Sequence, residues 1–204
     1  MLSFIESAIA QLKEKDSIRE QIIKNSRELV RISRSIVVNT HNSNDVKDLI
    51  QQSKEIVNNI ISMLKIYPDL IDSARNALQE YAEAFIFNLI LTENRIPSFM
   101  ELNIDPASYL LGISDALGEL KREIIKKIDQ WNVDEAAKLL ELMRSINSEL
   151  SKWDLPDAIA PGLRHKVDVN RHLIEDLEMI LSEAKRTHEL LLYISKLLSS
   201  LEKI

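Results

Sequence analysis

The segment Tyr109–Arg122 places apolar side chains at helical spacing in a stretch that also holds two of the chain's three glycines. Gly112 and Gly118 each cost a helix interior about 1 kcal/mol relative to alanine, so both need a structural reason. Asp115 and Glu119 add like charges one turn apart, which mildly destabilises an isolated helix. These departures from local preference indicate a functional site. The apolar residues that predict the helix are Tyr109, Leu110, Leu111, Ile113, Ala116, Leu117 and Leu120.

Few residues in the chain favour turns. Among 204 residues there are 3 Gly and 5 Pro, and few β-branched alternations, which predicts an all-α fold. The absence of cysteine excludes a disulfide or a thiolate zinc site. The amino terminus lacks a basic n-region, and the longest apolar-rich run, Ala82–Leu91, is about half of a membrane span, so we expect a cytoplasmic protein without membrane segments. We predict a single domain over residues 1–204.

The apolar periodicity predicts six or seven helices packed in one bundle. Residues 2 to about 40 form one helix, or two if Ser17 and Glu20 make a capping box. The segment Ala84–Leu91 is apolar at nearly every position, so it should be buried all round. The remaining long helices are predicted over 45–66, from Pro68 to Leu91, 106–128, 135–150, 163–184 and 186–203. A further short helix is predicted over 98–102, and a linker over 155–162.

Four basic residues follow one side of the first helix. Lys24, Arg27, Arg31 and Arg34 lie at intervals of three, four and three residues, and we call them the basic line. Such a line is either a solvated helix face or a track for nucleic-acid phosphates. The net charge of −6 argues against a generally basic nucleic-acid binder, so a polyanion would have to meet a local surface of this kind.

Two pairs of carboxylates lie in unusually apolar segments: Glu80 with Glu83, and Asp115 with Glu119. Exposed acidic pairs are common on solvated surfaces, but these neighbours favour burial. Burying unpaired carboxylates costs several kcal/mol each, so they must be protonated, paired with Arg or Lys, or bound to a cation. Oxygen-only ligands favour Mg²⁺, Mn²⁺ or Ca²⁺ over zinc. With Mg²⁺, this carboxylate set would suit phosphoester hydrolysis.

The sequence lacks the motifs of other metal sites and of nucleophilic catalysis. A ferritin-like di-iron site requires Glu-x-x-His pairs, and none of the four histidines has a glutamate three residues before it. There is no phosphate-binding GxxxxGK[ST] loop, no HExxH zinc motif and no cysteine nucleophile.

Four stretches of the chain resemble the translin family, and specifically its translin-associated factor X branch. The strongest are LQEYAEAFIF (Leu78–Phe87) and DPASYLLGISDALGELKREI (Asp105–Ile124) at the family's separation. RELVRISRSIV (Arg27–Val37) resembles the first-helix signature, and LRHKVDVNRHLIEDLE (Leu163–Glu178) resembles the penultimate helix. Translin proper lacks the carboxylate pair in the segment corresponding to Leu78–Phe87, which favours the factor X branch.

The resemblance implies a seven-helix fold, a hollow octamer-like particle and Mg²⁺-dependent endoribonuclease activity on single-stranded RNA. The family's acidic motif maps onto Glu80, Glu83, Asp115 and Glu119, as catalytic residues and metal ligands. Arg122 matches a basic position that would hold the scissile phosphate or balance the acids. The basic line, with Arg31 and Arg34 matching family positions, would contact the RNA backbone.

The amino-terminal tail and the long insertion of larger family members are absent, which predicts a compact prokaryotic or archaeal form that assembles with itself. Apolar residues over Leu190–Leu201 would give such an assembly its interface. Two other interpretations stay open. The protein could be a non-catalytic oligomer that binds single-stranded RNA or DNA through the basic line, as translin proper does, or a plain helical scaffold.

Overall fold

The computed structural model describes residues 2–201, which form six α-helices and one 3₁₀-helix and contain no β-strand. This confirms the all-α, seven-helix prediction. None of the described helices is long and apolar enough to cross a membrane. The helices are α1 (Ser3–His41), α2 (Lys47–Ile66), a 3₁₀-helix (Pro68–Ser73), α3 (Arg75–Glu93), α4 (Pro106–Asp129), α5 (Val133–Ser151) and α6 (Leu163–Leu201).

Helix boundaries follow the proline, glycine and capping signals of the sequence. Tyr67, which precedes Pro68, leaves the helical region at φ −128° and ψ 78°, so α2 ends before it. Asp105 caps α4, because its Oδ1 accepts a hydrogen bond of 3.0 Å from the backbone N–H of Ser108. The predicted linker before Gly162 is confirmed as non-helical.

Four of the predicted elements are different in the structure. The helix predicted from Pro68 to Leu91 is a 3₁₀-helix followed by α3, which begins at Arg75. α1 continues through Ser17, so the chain makes one helix there and not two. The two helices predicted over 163–203 are wrong, because a single α6 reaches Leu201 and no Gly or Pro lies within it to end it. The ends of that prediction, residues 202 and 203, lie outside the described residues. The predicted helix over 98–102 is also wrong: it is a run of turns that ends at Asn103, with φ 55°.

The chain divides into two compact units, one up to Ala116 and the other from Leu117 onward, so the division falls within α4. In the first unit, α1 packs along both α2 and α3. In the second unit, α5 packs along α6. The single-domain organisation of residues 1–204 stays a prediction.

Small polar residues lie on the buried face of α1. Ser26, Ser33 and Thr40 recur every seven residues, and all three are buried. Thr40 Oγ1 accepts a hydrogen bond of 3.0 Å from Asn88 Nδ2 on α3. The apolar residues of the same helical face are also buried, and all four residues of the basic line are exposed. The packing of α1 therefore leaves the basic line in solvent.

α3 forms the centre of the first unit. Every residue from Ala84 to Ile90 is buried, and Leu91 is half-buried, which confirms the prediction of a segment buried almost all round. A helix enclosed in this way has its backbone fixed by the core. Side chains in its preceding turn, including Glu80 and Glu83, are positioned by that fixed backbone.

Gly112 is the residue that lets α4 approach α3. A Cβ atom at this position would lie 2.5 Å from Ala82 Cβ, 2.7 Å from the Gln79 carbonyl oxygen and 3.0 Å from the Glu83 backbone nitrogen. No side chain fits these distances without moving the helices apart. Gly118 is different, because a Cβ there meets nothing within 4 Å. The steric reason expected for both glycines therefore holds only for Gly112.

The two glycines provide a matched pair of substitutions. We expect Gly112→Ala to lower the free energy of unfolding by about 1–3 kcal/mol, because the added methyl group overpacks the contact between α3 and α4. Gly118→Ala should raise it by up to about 1 kcal/mol, because alanine favours the helix and the space is open. Chemical denaturation followed by circular dichroism measures both. Equal effects of the two substitutions would contradict the close approach at Gly112.

Candidate functional site

Glu80 and Glu83 project from the first half of α3. They lie one turn apart, and both are half-buried, with 24% of the Glu80 side chain exposed. Tyr81 and Ala82, between them, are buried in the core. The two carboxylates are therefore neither on a fully solvated surface nor fully removed from water.

Asp115 brings a third carboxylate to the same place from α4. It lies three residues beyond Gly112, and it is half-buried. Asp115 Oδ2 accepts a hydrogen bond from Nε2 of Gln79, the neighbour of Glu80 on α3. The close approach at Gly112 thus places Asp115 beside the turn of α3 that carries Glu80 and Glu83. Sequence reasoning missed Gln79, because an amide one helix away has no fixed spacing to a carboxylate.

Arg34, the last residue of the basic line, contacts one of these three carboxylates. Arg34 Nη2 lies 3.3 Å from Glu80 Oε1, and Arg34 Nε lies 3.4 Å from Glu80 Oε2. The hydrogen bonds to Glu80, followed by the negative charge of Glu80 and more weakly that of Glu83, raise the pKa of the Arg34 guanidinium because they stabilise its protonated form. The two features that the sequence presented separately therefore meet at Arg34. The sequence indicated a contact of this kind only through the general requirement that a buried carboxylate be paired with Arg or Lys.

Glu119 lies one turn further along α4, with 13% of its side chain exposed. Arg122 Nη1 donates a hydrogen bond of 3.1 Å to Glu119 Oε2. Two roles were predicted for Arg122, and this contact corresponds to the second, in which Arg122 balances the charge of an acid. The Arg122 side chain remains 71% exposed, so solvent also reaches its guanidinium.

The rest of the basic line lies on the exposed face of α1. Arg31 makes a bidentate contact with Glu28: Nε donates to Glu28 Oε2 at 3.0 Å, and Nη2 donates to Glu28 Oε1. This contact raises the pKa of Arg31 and lowers the pKa of Glu28, chiefly through the hydrogen bonds between them. The spacing of three residues could have revealed this pair in the sequence. Lys24 and Arg27 are exposed and make no ion pair within residues 2–201.

The carboxylate set has oxygen donors only, which suits a hard divalent cation such as Mg²⁺. Half-burial on two adjoining helices also suits a site that a cation would neutralise. Nevertheless, within the part of the chain that the structure describes, no group of three or more His, Asp or Glu side chains is arranged to hold a metal ion. Arg34, Gln79 and Arg122 contact the carboxylates instead. The carboxylate oxygens are the type of ligand that the cation prefers. To bind it, the carboxylates would have to give up their contacts with Arg34, Gln79 and Arg122.

A family model described as "Translin family" matches residues 17–183 of this chain. An uncharacterized protein of Methanocaldococcus jannaschii is 32% identical over 170 residues, covering 82% of this chain and 76% of that protein. A translin-associated protein X homolog of Schizosaccharomyces pombe is 24% identical over 189 residues, covering 83% of this chain and 81% of that protein.

Two solved structures have folds similar to that of this chain. The structure of AfC3PO in complex with duplex RNA superposes with a TM-score of 0.83 at 26% identity, covering 90% of this chain and 97% of that chain. The structure of apo-NeC3PO has a TM-score of 0.81 at 25% identity, covering 90% and 98% of the two chains. The helical order and these likenesses confirm the resemblance that four segments of the sequence indicated. This chain belongs to the translin family, and it is similar to a translin-associated protein X homolog.

Proposed function

We propose that this protein is an Mg²⁺-dependent endoribonuclease that cleaves single-stranded RNA, including strands derived from duplexes. The observation that carries the proposal is the contact between α3 and α4 at Gly112, which places half-buried Asp115 beside the turn of α3 that carries Glu80 and Glu83, where Glu80 contacts Arg34. Clustered carboxylates next to an exposed cationic face combine the two parts of a metal-assisted phosphodiesterase.

Each part of the site has a role in this proposal. Glu80, Glu83, Asp115 and Glu119 would hold Mg²⁺, with Mn²⁺ as an alternative. The bound cation would polarise the phosphoryl oxygen and lower the pKa of a water molecule. The basic line would hold the RNA backbone through its phosphates, with its exposed side chains pointing into solvent. Arg122, exposed at the end of the set, would hold the scissile phosphate.

The relatives support RNA as the partner. The AfC3PO structure contains duplex RNA, and it shares the helical fold over 90% of this chain. The net charge of −6 makes binding to the surface at large unfavourable, so the RNA would meet the exposed basic line. Single-stranded DNA, which carries the same phosphate charges, is a second ligand that this surface could accept.

One observation favours a second candidate, a non-catalytic particle that binds single-stranded RNA or DNA. Glu80 is paired with Arg34, Asp115 accepts from Gln79, and Glu119 accepts from Arg122. These contacts satisfy carboxylates without a cation. In this candidate they stabilise the helix packing, and the basic line alone carries the function.

A cleavage assay separates the two candidates. We expect purified protein to cut a labelled single-stranded RNA in Mg²⁺ and to stop when EDTA removes the cation. The double variant Glu80→Gln/Asp115→Asn should lose cleavage by at least about a hundredfold, because neutral amides are poor ligands for Mg²⁺. Gel electrophoresis of the labelled RNA measures both effects.

The control for this assay is the fold of the double variant. Each amide keeps an oxygen that accepts a hydrogen bond from Arg34 or Gln79, so unfolding should remain close to that of the wild type. Cleavage that survives in the folded variant would exclude the carboxylate assignment. Binding without cleavage in both proteins would favour the second candidate.

The phosphate role of the basic line has its own test. We expect Arg31→Glu to weaken binding to single-stranded RNA and to reduce the slope of log affinity against log salt by about 0.7 or more, since a phosphate contact is lost. Lys65→Glu is the matched control, because Lys65 is exposed on α2 and lies outside the basic line. Fluorescence anisotropy at several salt concentrations measures both variants. Equal slopes for the two variants would contradict the phosphate track.

We also propose that the protein forms a closed homo-oligomer of octamer-like size. The carboxyl-terminal half of α6 leaves apolar side chains in solvent, each at least 43% exposed: Leu190, Leu191, Leu192, Tyr193, Ile194, Leu197 and Leu198. The first turns of α1 add Leu2, Phe4, Ile5, Ile9 and Leu12. Apolar surface of this extent is typical of an interface.

Charged substitutions on α6 test the assembly. Leu191→Lys/Leu198→Lys places two charges seven residues apart on one helical face, and we expect the particle to dissociate to smaller species because those charges would be buried in the interface. Glu189→Lys, at an exposed position on the opposite face of the same helix, is the control. Light scattering at micromolar concentration measures the mass. A wild-type monomer under these conditions would refute the proposal.

A further inference from the structure

We propose that Arg34 exchanges between Glu80 and an RNA phosphate, so that RNA and the divalent cation strengthen each other's binding. This inference rests on the proposed function, and it concerns the order in which the site is completed. Without RNA, Arg34 occupies Glu80. With RNA, a phosphate takes Arg34, and Glu80 becomes available to the cation.

The geometry of the Arg34–Glu80 pair suits an exchange. Its two donor–acceptor distances, 3.3 and 3.4 Å, are at the long end for hydrogen bonds, and 68% of the Arg34 side chain is exposed. An ion pair with long contacts and a guanidinium open to solvent contributes little, so a phosphate can compete for that guanidinium. The contact also joins two different helices, α1 and α3, which separates it from the pairs made within α1.

Arg34 is the one member of the basic line that contacts the carboxylate set within residues 2–201. Arg31, one turn earlier, contacts Glu28 on its own helix. RNA held along the basic line would therefore reach Arg34 by continuing along the same exposed face of α1. This arrangement makes Arg34 a positioning residue that connects phosphate binding to the carboxylates.

Electrostatics gives the direction of the effect. The guanidinium of Arg34 neutralises Glu80 and, more weakly, the charge of Glu83, so it opposes the binding of a divalent cation there. Moving that guanidinium onto a phosphate removes the competition. Because coupling between two ligands is reciprocal, a cation that takes Glu80 must tighten the binding of RNA by the same factor.

The test uses Arg34→Gln with Arg31→Gln as its matched control. The two arginines have similar exposure, 68% and 65%, and each pairs with one glutamate. The first measurement is the affinity for Mn²⁺ without RNA, followed by the electron paramagnetic resonance signal of the free ion. We expect Arg34→Gln to bind Mn²⁺ about three- to fivefold more tightly than the wild type, the equivalent of one exposed ion pair. Arg31→Gln should match the wild type.

The second measurement is the affinity for a labelled 2′-O-methyl oligonucleotide, with and without Mg²⁺ at constant ionic strength. Fluorescence anisotropy gives the affinity, and a gel shows that the oligonucleotide stays intact. In the wild type we expect Mg²⁺ to tighten binding by about the same three- to fivefold. Arg31→Gln should bind more weakly and keep this enhancement, whereas Arg34→Gln should lose it.

Each outcome decides the inference. Unchanged Mn²⁺ affinity in Arg34→Gln, with or without a loss of unfolding stability, would show that the pair only ties α1 to α3, and it would overturn the exchange. Metal-dependent cleavage that persists with that result would leave the proposed nuclease intact. The absence of Mn²⁺ binding to any of the proteins would overturn both the exchange and the metal-dependent function.

Discussion

The close contact between α3 and α4 at Gly112 is the constraint on which the candidate site depends. A hydrogen atom is the only side chain that fits against Ala82 and the Gln79 carbonyl oxygen at this point. The contact fixes Asp115 next to the turn of α3 that carries Glu80 and Glu83. It also explains why a helix-weakening residue occurs within an otherwise strongly apolar helix.

A second constraint comes from the way α1 packs. Its small residues Ser26, Ser33 and Thr40 are buried, and Thr40 accepts a hydrogen bond from Asn88 on α3, while the basic line remains in solvent. The helix therefore contributes to the core on one side and presents cations on the other. Because α3 is enclosed almost completely, the carboxylates of its first half have a rigid support. The site is thus assembled from one buried helix and two neighbours that each provide a different kind of charge.

The half-buried carboxylates are neutralised or hydrogen-bonded by neighbouring side chains. Half-buried acids need a compensating charge or hydrogen bonds, and here Arg34, Gln79 and Arg122 supply them. The same oxygens are the donors that a divalent cation would use. A site of this type can be stable without the cation and still exchange its partners for one, because exposed ion pairs contribute little to stability.

The sequence by itself determined the all-α class and most helix boundaries, and it proposed the carboxylates and arginines of the candidate site. Apolar spacing, Pro68 and Asp105 act locally, through backbone geometry and capping, so they can be recognised without a fold. The predicted break within α6 and the predicted helix over 98–102 were wrong, and no contact explains Gly118. Only the tertiary structure decided that Gly112 touches α3, that Gln79 meets Asp115 and that Arg34 meets Glu80. These contacts join residues 29 to 46 positions apart, and helix packing, not sequence spacing, sets their distances.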